Sequence, residues 1–153
     1  MTEKRYEPAD DQYAIRVRES LARQKVMTTI GAELVAIAPG SVDIGFDYHP
    51  DLTQQHGFIH AGILSTVLDS ACGYAAYSLM PADAGILTIE FKINLLSPAQ
   101  GDRFVARGRV TRSGRTVSVA AGDLFAEDPK EDRHVATMVA TLMTITDRQG
   151  VRG

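Results

Sequence analysis

One acid inside a long apolar helix, together with the start of that helix, forms the part of this sequence that could do chemistry. The run 61–80 contains no Lys or Arg and a single acid, Asp69. A charge in such surroundings is costly unless it has partners or a task. The run follows His60 and opens with Ala61 and Gly62, and a helix start leaves backbone N–H groups free to bind a ligand. A carboxylate that activates water and N–H groups that stabilise an oxyanion are the two parts of an acyl-transfer site.

The rest of the sequence predicts the elements that must hold this helix. An amphipathic helix is predicted at 9–26, with Pro8 near its start. Period-2 apolar patterns predict strands at about 32–38, 41–48, 85–96, 103–111, 116–126 and 134–146. The order α-β-β-α-β-β-β-β, with short turns, predicts an α+β fold in which an antiparallel sheet of about six strands curls around the long helix.

The strand at 85–96 has the clearest alternation. Its apolar residues are expected to face one way, and they are Leu87, Ile89, Phe91, Ile93 and Leu95. Its polar residues are expected to face the other way, and they are Thr88, Glu90, Lys92 and Asn94. This pattern is typical of a half-buried strand.

Length and charge narrow the class of protein. The 153 residues suit one domain spanning 1–153. The net charge of −3 and the dispersed basic residues argue against nucleic acid as a partner. The run 61–80 has about the length of a membrane span, but its polar residues and the lack of basic flanks argue against one. The charged segment 1–11 does not resemble a signal peptide, and the single cysteine, Cys72, fits a reducing compartment, so we expect a cytoplasmic protein.

The predicted layout resembles the hotdog fold, and the helix start resembles that of the PaaI-type (phenylacetate-degradation-related) acyl-CoA thioesterases. These carry an Asn or Gln, then a His-Gly-Gly-like helix start, then an acid nine residues after the His. The matching residues here are Gln54, His60 with Ala61 and Gly62, and Asp69. The segment 88–99 (TIEFKINLLSPA) is similar to the family's next strand and its Ser-Pro turn. The resemblance covers about residues 30–146.

The resemblance implies hydrolysis of acyl-CoA or aryl-CoA thioesters and a role for each matching residue. Asp69 corresponds to the acid that serves as general base or as nucleophile. The backbone N–H of Ala61, where Gly is usual, corresponds to the oxyanion donor, and Gly62 to a substrate contact. Gln54 corresponds to a side chain that helps to hold the thioester carbonyl, and Thr88 to a hydroxyl that orients the acid. His60 is expected to shape the helix start rather than to act as the base.

The spacing of Ala61 and Asp69 bears on how such a site is assembled. Eight residues at about 1.5 Å each place them roughly 12 Å apart along one helix. Both groups must lie within a few ångströms of one thioester. We therefore expect a site shared by two subunits across a twofold interface. The resemblance also implies a homodimer, often doubled to a tetramer.

A basic turn is the candidate binding site for the coenzyme A phosphates. It comprises Arg112, Ser113 and Arg115 around Gly114. Arginine suits phosphate recognition, but an ordinary solvated hairpin explains the same residues equally well.

Some of these residues also fit other kinds of site. His56 and His60 are four residues apart, but Gly57 lies between them and no third ligand follows at a standard spacing, so we expect no metal. No cofactor is expected, since coenzyme A is part of the substrate. Cys72 is expected to pack in the core rather than to act as a nucleophile. The alternatives to a thioesterase are a non-catalytic acyl-CoA-binding hotdog protein and a hotdog hydratase or dehydratase, which the His60-to-Asp69 spacing fits less well. The sequence does not predict the acyl group.

Overall fold

The computed structural model describes residues 5–153 and contains the predicted elements in the predicted order. A short 3-10 helix at Pro50–Leu52 precedes the long helix. The helices are α1 (Tyr13–Arg23), α2 (Lys25–Ile30) and α3 (Ala61–Tyr77). The strands are β1 (Glu33–Ala38), β2 (Ser41–Asp47), β3 (Gly85–Leu95), β4 (Arg103–Arg112), β5 (Val117–Ala126) and β6 (Arg133–Ile145).

The six strands form one antiparallel sheet in the order β1-β2-β4-β5-β6-β3. Helix α3 packs against β2, β3, β4, β5 and β6, so the sheet curls around it. This arrangement confirms the predicted α+β architecture. Strand β3, the first strand after α3, lies at one edge of the sheet.

Helix α3 is apolar nearly all round because the sheet covers most of its surface. Its residues from Ser70 to Tyr77 are all buried. Two strand glycines allow the close approach: a Cβ at Gly108 would lie 2.3 Å from the carbonyl oxygen of Ala71, and one at Gly122 would lie 2.8 Å from the sulfur of Cys72. The sheet therefore touches the backbone of α3, which fixes where its side chains emerge.

The N-terminal helix differs from the prediction of one helix over 9–26. Asp10 accepts a hydrogen bond from the backbone N–H of Gln12 and pairs with Arg16 at 3.0 Å, so a turn precedes the helix, which begins at Tyr13. The helix stops at Arg23 because Gln24 adopts an extended conformation, with φ −78° and ψ 98°. A second short helix then runs to Gly31, whose φ of 75° ends it.

Strand β3 also departs from the predicted alternation. Thr88 pairs with Leu142 and Glu90 with Thr141, so Ile89 is an extra residue that forms a β-bulge. Paired residues point to the same face, and Leu142 is fully buried beneath α3. Thr88 therefore faces the helix, and Leu87 faces away from it. The prediction that all apolar residues of β3 share one face was wrong, because it assumed an uninterrupted strand.

Much of β3 is exposed in the single chain. The exposed fractions of Leu87, Ile89, Phe91 and Leu95 are 44%, 52%, 43% and 54%. One edge of β3 pairs with β6, and within 5–153 no strand pairs with the other edge. A long apolar edge of this kind is a surface for strand pairing with another chain.

No helix within 5–153 is long and apolar enough to cross a membrane.

Candidate active site

The start of α3 is built by a side-chain cap. His60 precedes the helix in an extended conformation, and its Nδ1 accepts a hydrogen bond of 2.8 Å from the backbone N–H of Gly62. This leaves the N–H of Ala61, which has no hydrogen-bond acceptor among the residues that the structure describes. A Cβ at Gly62 would lie 3.1 Å from His60 Nδ1, so the small residue at 62 keeps the cap unstrained. The helix start therefore presents one backbone donor, the N–H of Ala61, that no described residue uses.

Gln54 lies on a tight turn beside this start. Its backbone N–H donates to the carbonyl of Phe58, and the turn closes through Gly57, whose φ is 83°. The Gln54 side-chain oxygen accepts the N–H of His56 at 2.5 Å. Since the oxygen is engaged, the amide NH2 of Gln54 is the part of the side chain left to donate.

A cavity of about 510 Å³ opens at the helix start. Gln54, His60, Ala61 and Leu64 form one wall, and the end of β3 with the following turn, residues 95–99, forms the other. We refer to it as the helix-start cavity. It brings together the predicted donors and an apolar surface, but it does not contain the predicted acid.

Asp69 emerges from the middle of α3 toward β3. Its Oδ1 accepts a hydrogen bond of 2.8 Å from the hydroxyl of Thr88, and its Oδ2 has no partner in the part of the chain described. Burial raises the pKa of Asp69 above its usual value, and the Thr88 hydrogen bond partly opposes this. The bulge at Ile89 makes the contact possible, because without it Thr88 and Phe91 would face opposite sides of the sheet.

A second cavity, of about 290 Å³, lies beside Asp69 and Thr88, and we refer to it as the Asp69 cavity. Ser20 lines it from α1, Gln24 from the break between α1 and α2, and Ser70 and Tyr74 from α3. Sequence reasoning did not identify these four residues. The signal that could have found Ser70 and Tyr74 is their position next to Asp69 and one turn beyond it, but nothing in the sequence marks Gln24.

The two cavities share no lining residue. The helix rise places Ala61 and Asp69 roughly 12 Å apart along α3. Within one chain, the free N–H and the free carboxylate oxygen therefore face two separate spaces.

The basic turn joins β4 to β5, at the end of the sheet where β3 begins. The N–H of Thr144 bonds to the carbonyl of Thr116, and Thr144 pairs with Ile86. Arg112, Ser113 and Arg115 are exposed, and neither arginine forms an ion pair with a described residue. They line neither cavity. The turn therefore lies at the same end of the sheet as Thr88, with β6 between β5 and β3.

Cys72 packs in the core as predicted. Burial, and then the charges of Asp69 and Asp123, raise the pKa of its thiol to about 12. A thiol with such a pKa is not a nucleophile near neutral pH. Within the described chain, no cluster of three or more His, Cys, Asp or Glu residues could hold a metal, and Nδ1 of His60 is already engaged in the cap.

Comparison with known proteins assigns the family. The model of the thioesterase superfamily matches residues 56–132, which include α3, β3, β4 and β5. The chain belongs to the thioesterase superfamily. The predicted enzyme class, a thioester hydrolase, is confirmed by this match.

Related structures agree with the family. A thioesterase family protein from Silicibacter pomeroyi is 54% identical, with a TM-score of 0.86 over 88% of this chain and 98% of that one. The E. coli PaaI protein from the phenylacetic acid degradation operon is 16% identical, with a TM-score of 0.81 over 94% of this chain and 98% of that one. At this identity the second likeness is one of fold, and it confirms the predicted hotdog arrangement. Together with the family match, it bears out the predicted resemblance to the PaaI-type thioesterases.

One of the related proteins has a name that states an activity. The medium/long-chain acyl-CoA thioesterase YigI of Salmonella typhimurium is 25% identical over 129 residues, which cover 74% of this chain and 81% of the relative.

Proposed function

We propose that the protein hydrolyses acyl-CoA or aryl-CoA thioesters to a free acid and coenzyme A. The observation that carries this proposal is Asp69: a half-buried acid in a thioesterase-superfamily helix, with one oxygen held by Thr88 and the other free. The name of the Salmonella relative supports acyl-CoA as the substrate class. No cofactor is needed, because the thioester supplies its own leaving group.

The proposed site is shared between two subunits related by a twofold axis. Leu95 lines the helix-start cavity, whereas Leu87 and Thr88 line the Asp69 cavity. If the free edges of two β3 strands pair antiparallel with Thr88 opposite Leu95, the helix-start cavity of one subunit meets the Asp69 cavity of its partner at both ends of the pair. The same pairing occupies the free edge of β3, the strand that carries the exposed apolar residues. A dimer of dimers would build on this unit.

The proposed reaction begins with the thioester carbonyl at the helix start. The Ala61 N–H donates to the carbonyl oxygen, aided by the positive end of α3 and by the Gln54 amide. These donors stabilise the negative charge that develops on this oxygen. His60 holds the donor in place through its bond to Gly62.

Asp69 of the partner subunit supplies the other half of the chemistry. As general base, its free Oδ2 takes a proton from water while the water oxygen attacks the carbonyl carbon. The C–S bond then breaks, and the coenzyme A thiolate leaves and recovers a proton. As nucleophile, Oδ2 would itself attack the carbonyl carbon, expel the thiolate and form an anhydride that water opens. The raised pKa of Asp69 favours either role, because a more basic carboxylate accepts a proton or attacks more readily.

We place the coenzyme A phosphates near Arg112, Ser113 and Arg115. Both arginines are exposed and form no ion pair with a described residue, and the turn lies at the end of the sheet where β3 begins, so they offer the positive charge that phosphates require. Replacement of both arginines by Gln should raise KM for coenzyme A esters and leave kcat unchanged.

Thiol release from a panel of acyl- and aryl-CoA esters tests the proposed function. Turnover by the wild type that collapses in a folded Asp69→Asn variant is the expected result. Binding of the esters without any turnover would instead identify a non-catalytic acyl-CoA-binding protein.

A further inference from the structure

A network of uncharged polar side chains lines the Asp69 cavity beyond the catalytic acid. The Ser70 hydroxyl donates to the side-chain oxygen of Gln24 at 2.9 Å, and the Gln24 amide donates to the Tyr74 hydroxyl at 3.2 Å. Tyr74 and Ser20 share a further hydrogen bond of 3.1 Å. Ser70 and Tyr74 are buried. We refer to these four residues as the polar network.

The polar network has more donors than it uses. Its side chains carry five polar hydrogens, two of them on Gln24. The three hydrogen bonds consume three of the five. One amide hydrogen of Gln24 and one hydroxyl hydrogen, on Ser20 or on Tyr74, have no acceptor among the residues described. Gln24 and Ser20 are half-buried and line the cavity, so these two hydrogens can be donated to a ligand that brings an acceptor.

The broken N-terminal helix places this network. The sequence predicts one continuous helix through Gln24, in which this side chain would project like any other residue of the helix. The extended conformation at Gln24 instead turns its side chain to Ser70 and Tyr74 on α3.

We propose, resting on the proposed function, that the preferred substrates carry an uncharged oxygen near the far end of a short acyl group, which the polar network binds. The volume of about 290 Å³ equals that of roughly ten water molecules, at about 30 Å³ each. This space suits an acyl group of modest size rather than a long alkyl chain.

The helix geometry sets the position of the oxygen. Tyr74 follows Asp69 by five residues, which is about 7.5 Å along α3. An extended chain advances about 3.5 Å for every three bonds. For an acyl group that runs along α3 from Asp69 toward Tyr74, this rise corresponds to about six bonds between the thioester carbon and the oxygen, as in a 6-hydroxyhexanoyl group.

We expect the oxygen of the acyl group to be uncharged because the polar network is uncharged. None of its four residues carries a charge, and a buried carboxylate requires a charged partner. Asp69 lies in the same cavity and would repel a second carboxylate. Arg152 also lines the cavity, but it makes no hydrogen bond to any of the four network residues.

Two isosteric esters test the proposal: 6-hydroxyhexanoyl-CoA and heptanoyl-CoA, which differ by a hydroxyl in place of a methyl group. We expect kcat/KM to be at least about tenfold higher for the hydroxyl ester, as one or two neutral hydrogen bonds allow. Gln24→Met should abolish or reverse the preference while heptanoyl-CoA turnover persists, which also shows that the variant folds. Ser20→Ala should weaken the preference, and Gln12→Met, an exposed change at the other end of α1, should preserve it.

Dissociation constants of the two esters for Asp69→Asn separate this proposal from the proposed function. Tighter binding of the hydroxyl ester supports the polar network as its site even if the wild type hydrolyses neither ester, a result that would overturn only the proposed reaction. Equal or tighter binding of heptanoyl-CoA would overturn the inference, with or without turnover. A preference for adipoyl-CoA, which ends in a carboxylate, would also overturn it and point to Arg152.

Discussion

The helix-start cavity and the Asp69 cavity are built from different parts of the chain. At the helix start the key donor is a backbone N–H, held by the His60 cap and a tight turn. Beside Asp69 the key groups are side chains, held by burial and by hydrogen bonds from another element. The helix-start cavity should therefore tolerate replacement of the Ala61 side chain, whereas the Asp69 cavity should not tolerate replacement of Asp69. Ala61 fits this difference, because any residue except proline supplies the backbone N–H.

The largest effect is expected from Asp69→Asn, which keeps the shape and the Thr88 contact but removes the charge. General base catalysis contributes about 10²–10⁴-fold, so kcat should fall by about 10³-fold. Because burial raises the pKa of Asp69, its ionised form destabilises the fold above that pKa, and the variant should be at least as stable at pH 7. Thiol release and thermal unfolding measure both effects. A variant that retains a tenth of the activity would contradict the assigned role.

The next effect concerns the backbone half. Ala61→Pro removes the N–H at the first helical position, where proline is tolerated. Loss of one oxyanion donor should lower kcat by about 10²–10³-fold. Ala61→Gly, which keeps the N–H, is the matched control and should stay within about twofold of the wild type. Equal losses in both variants would show that the side chain, and not the N–H, matters at this position.

A smaller effect is expected where the hydroxyl of Thr88 meets Asp69. The Thr88 hydrogen bond lowers the pKa of Asp69 from the value that burial alone would give. Thr88→Val should therefore raise that pKa further and move the acidic limb of the kcat/KM profile to higher pH, since the ionised carboxylate is required. Thr88→Ser should restore the limb. An unchanged profile in Thr88→Val would mean that the hydroxyl does not tune the acid.

The smallest effect concerns the cap. His60→Ala removes the acceptor for the Gly62 N–H, and loss of an N-cap costs about 1 kcal/mol. For a chain of this length, Tm should fall by about 2–4 °C. His60→Asn supplies another capping oxygen and should recover most of the loss. If His60→Ala instead abolished turnover without loss of stability, the imidazole would have a chemical role.

The sequence predicted the helix start and Asp69 better than the residues that surround the acid. His60 and Ala61 could be placed because they begin an apolar run, and Asp69 because it is the one acid within that run. The polar network beside Asp69 could not be placed in the same way. Gln24 turns to Ser70 and Tyr74 because the chain breaks at Gln24, and no proline or glycine marks that break. Ser20 reaches Tyr74 from α1, and only the packing of α1 against α3 brings the two together.

The bulge in β3 shows a second limit. Strict alternation predicted Thr88 on the face opposite Phe91, whereas family resemblance predicted Thr88 beside the acid. Both residues face the helix, because one extra residue, Ile89, lies between the two paired segments. A bulge depends on how β3 registers against β6, and a pattern within one strand does not encode this.

Complementation between two inactive variants tests the shared site most directly. Co-expressed Ala61→Pro and Asp69→Asn chains that pair at random form about half mixed dimers, each with one intact and one doubly damaged site. A site shared between subunits should recover about one quarter of wild-type activity, although each variant alone is inactive. If Ala61 and Asp69 of the same chain formed the site, every site would stay damaged, and the absence of any recovery in verified mixed dimers would contradict a shared site.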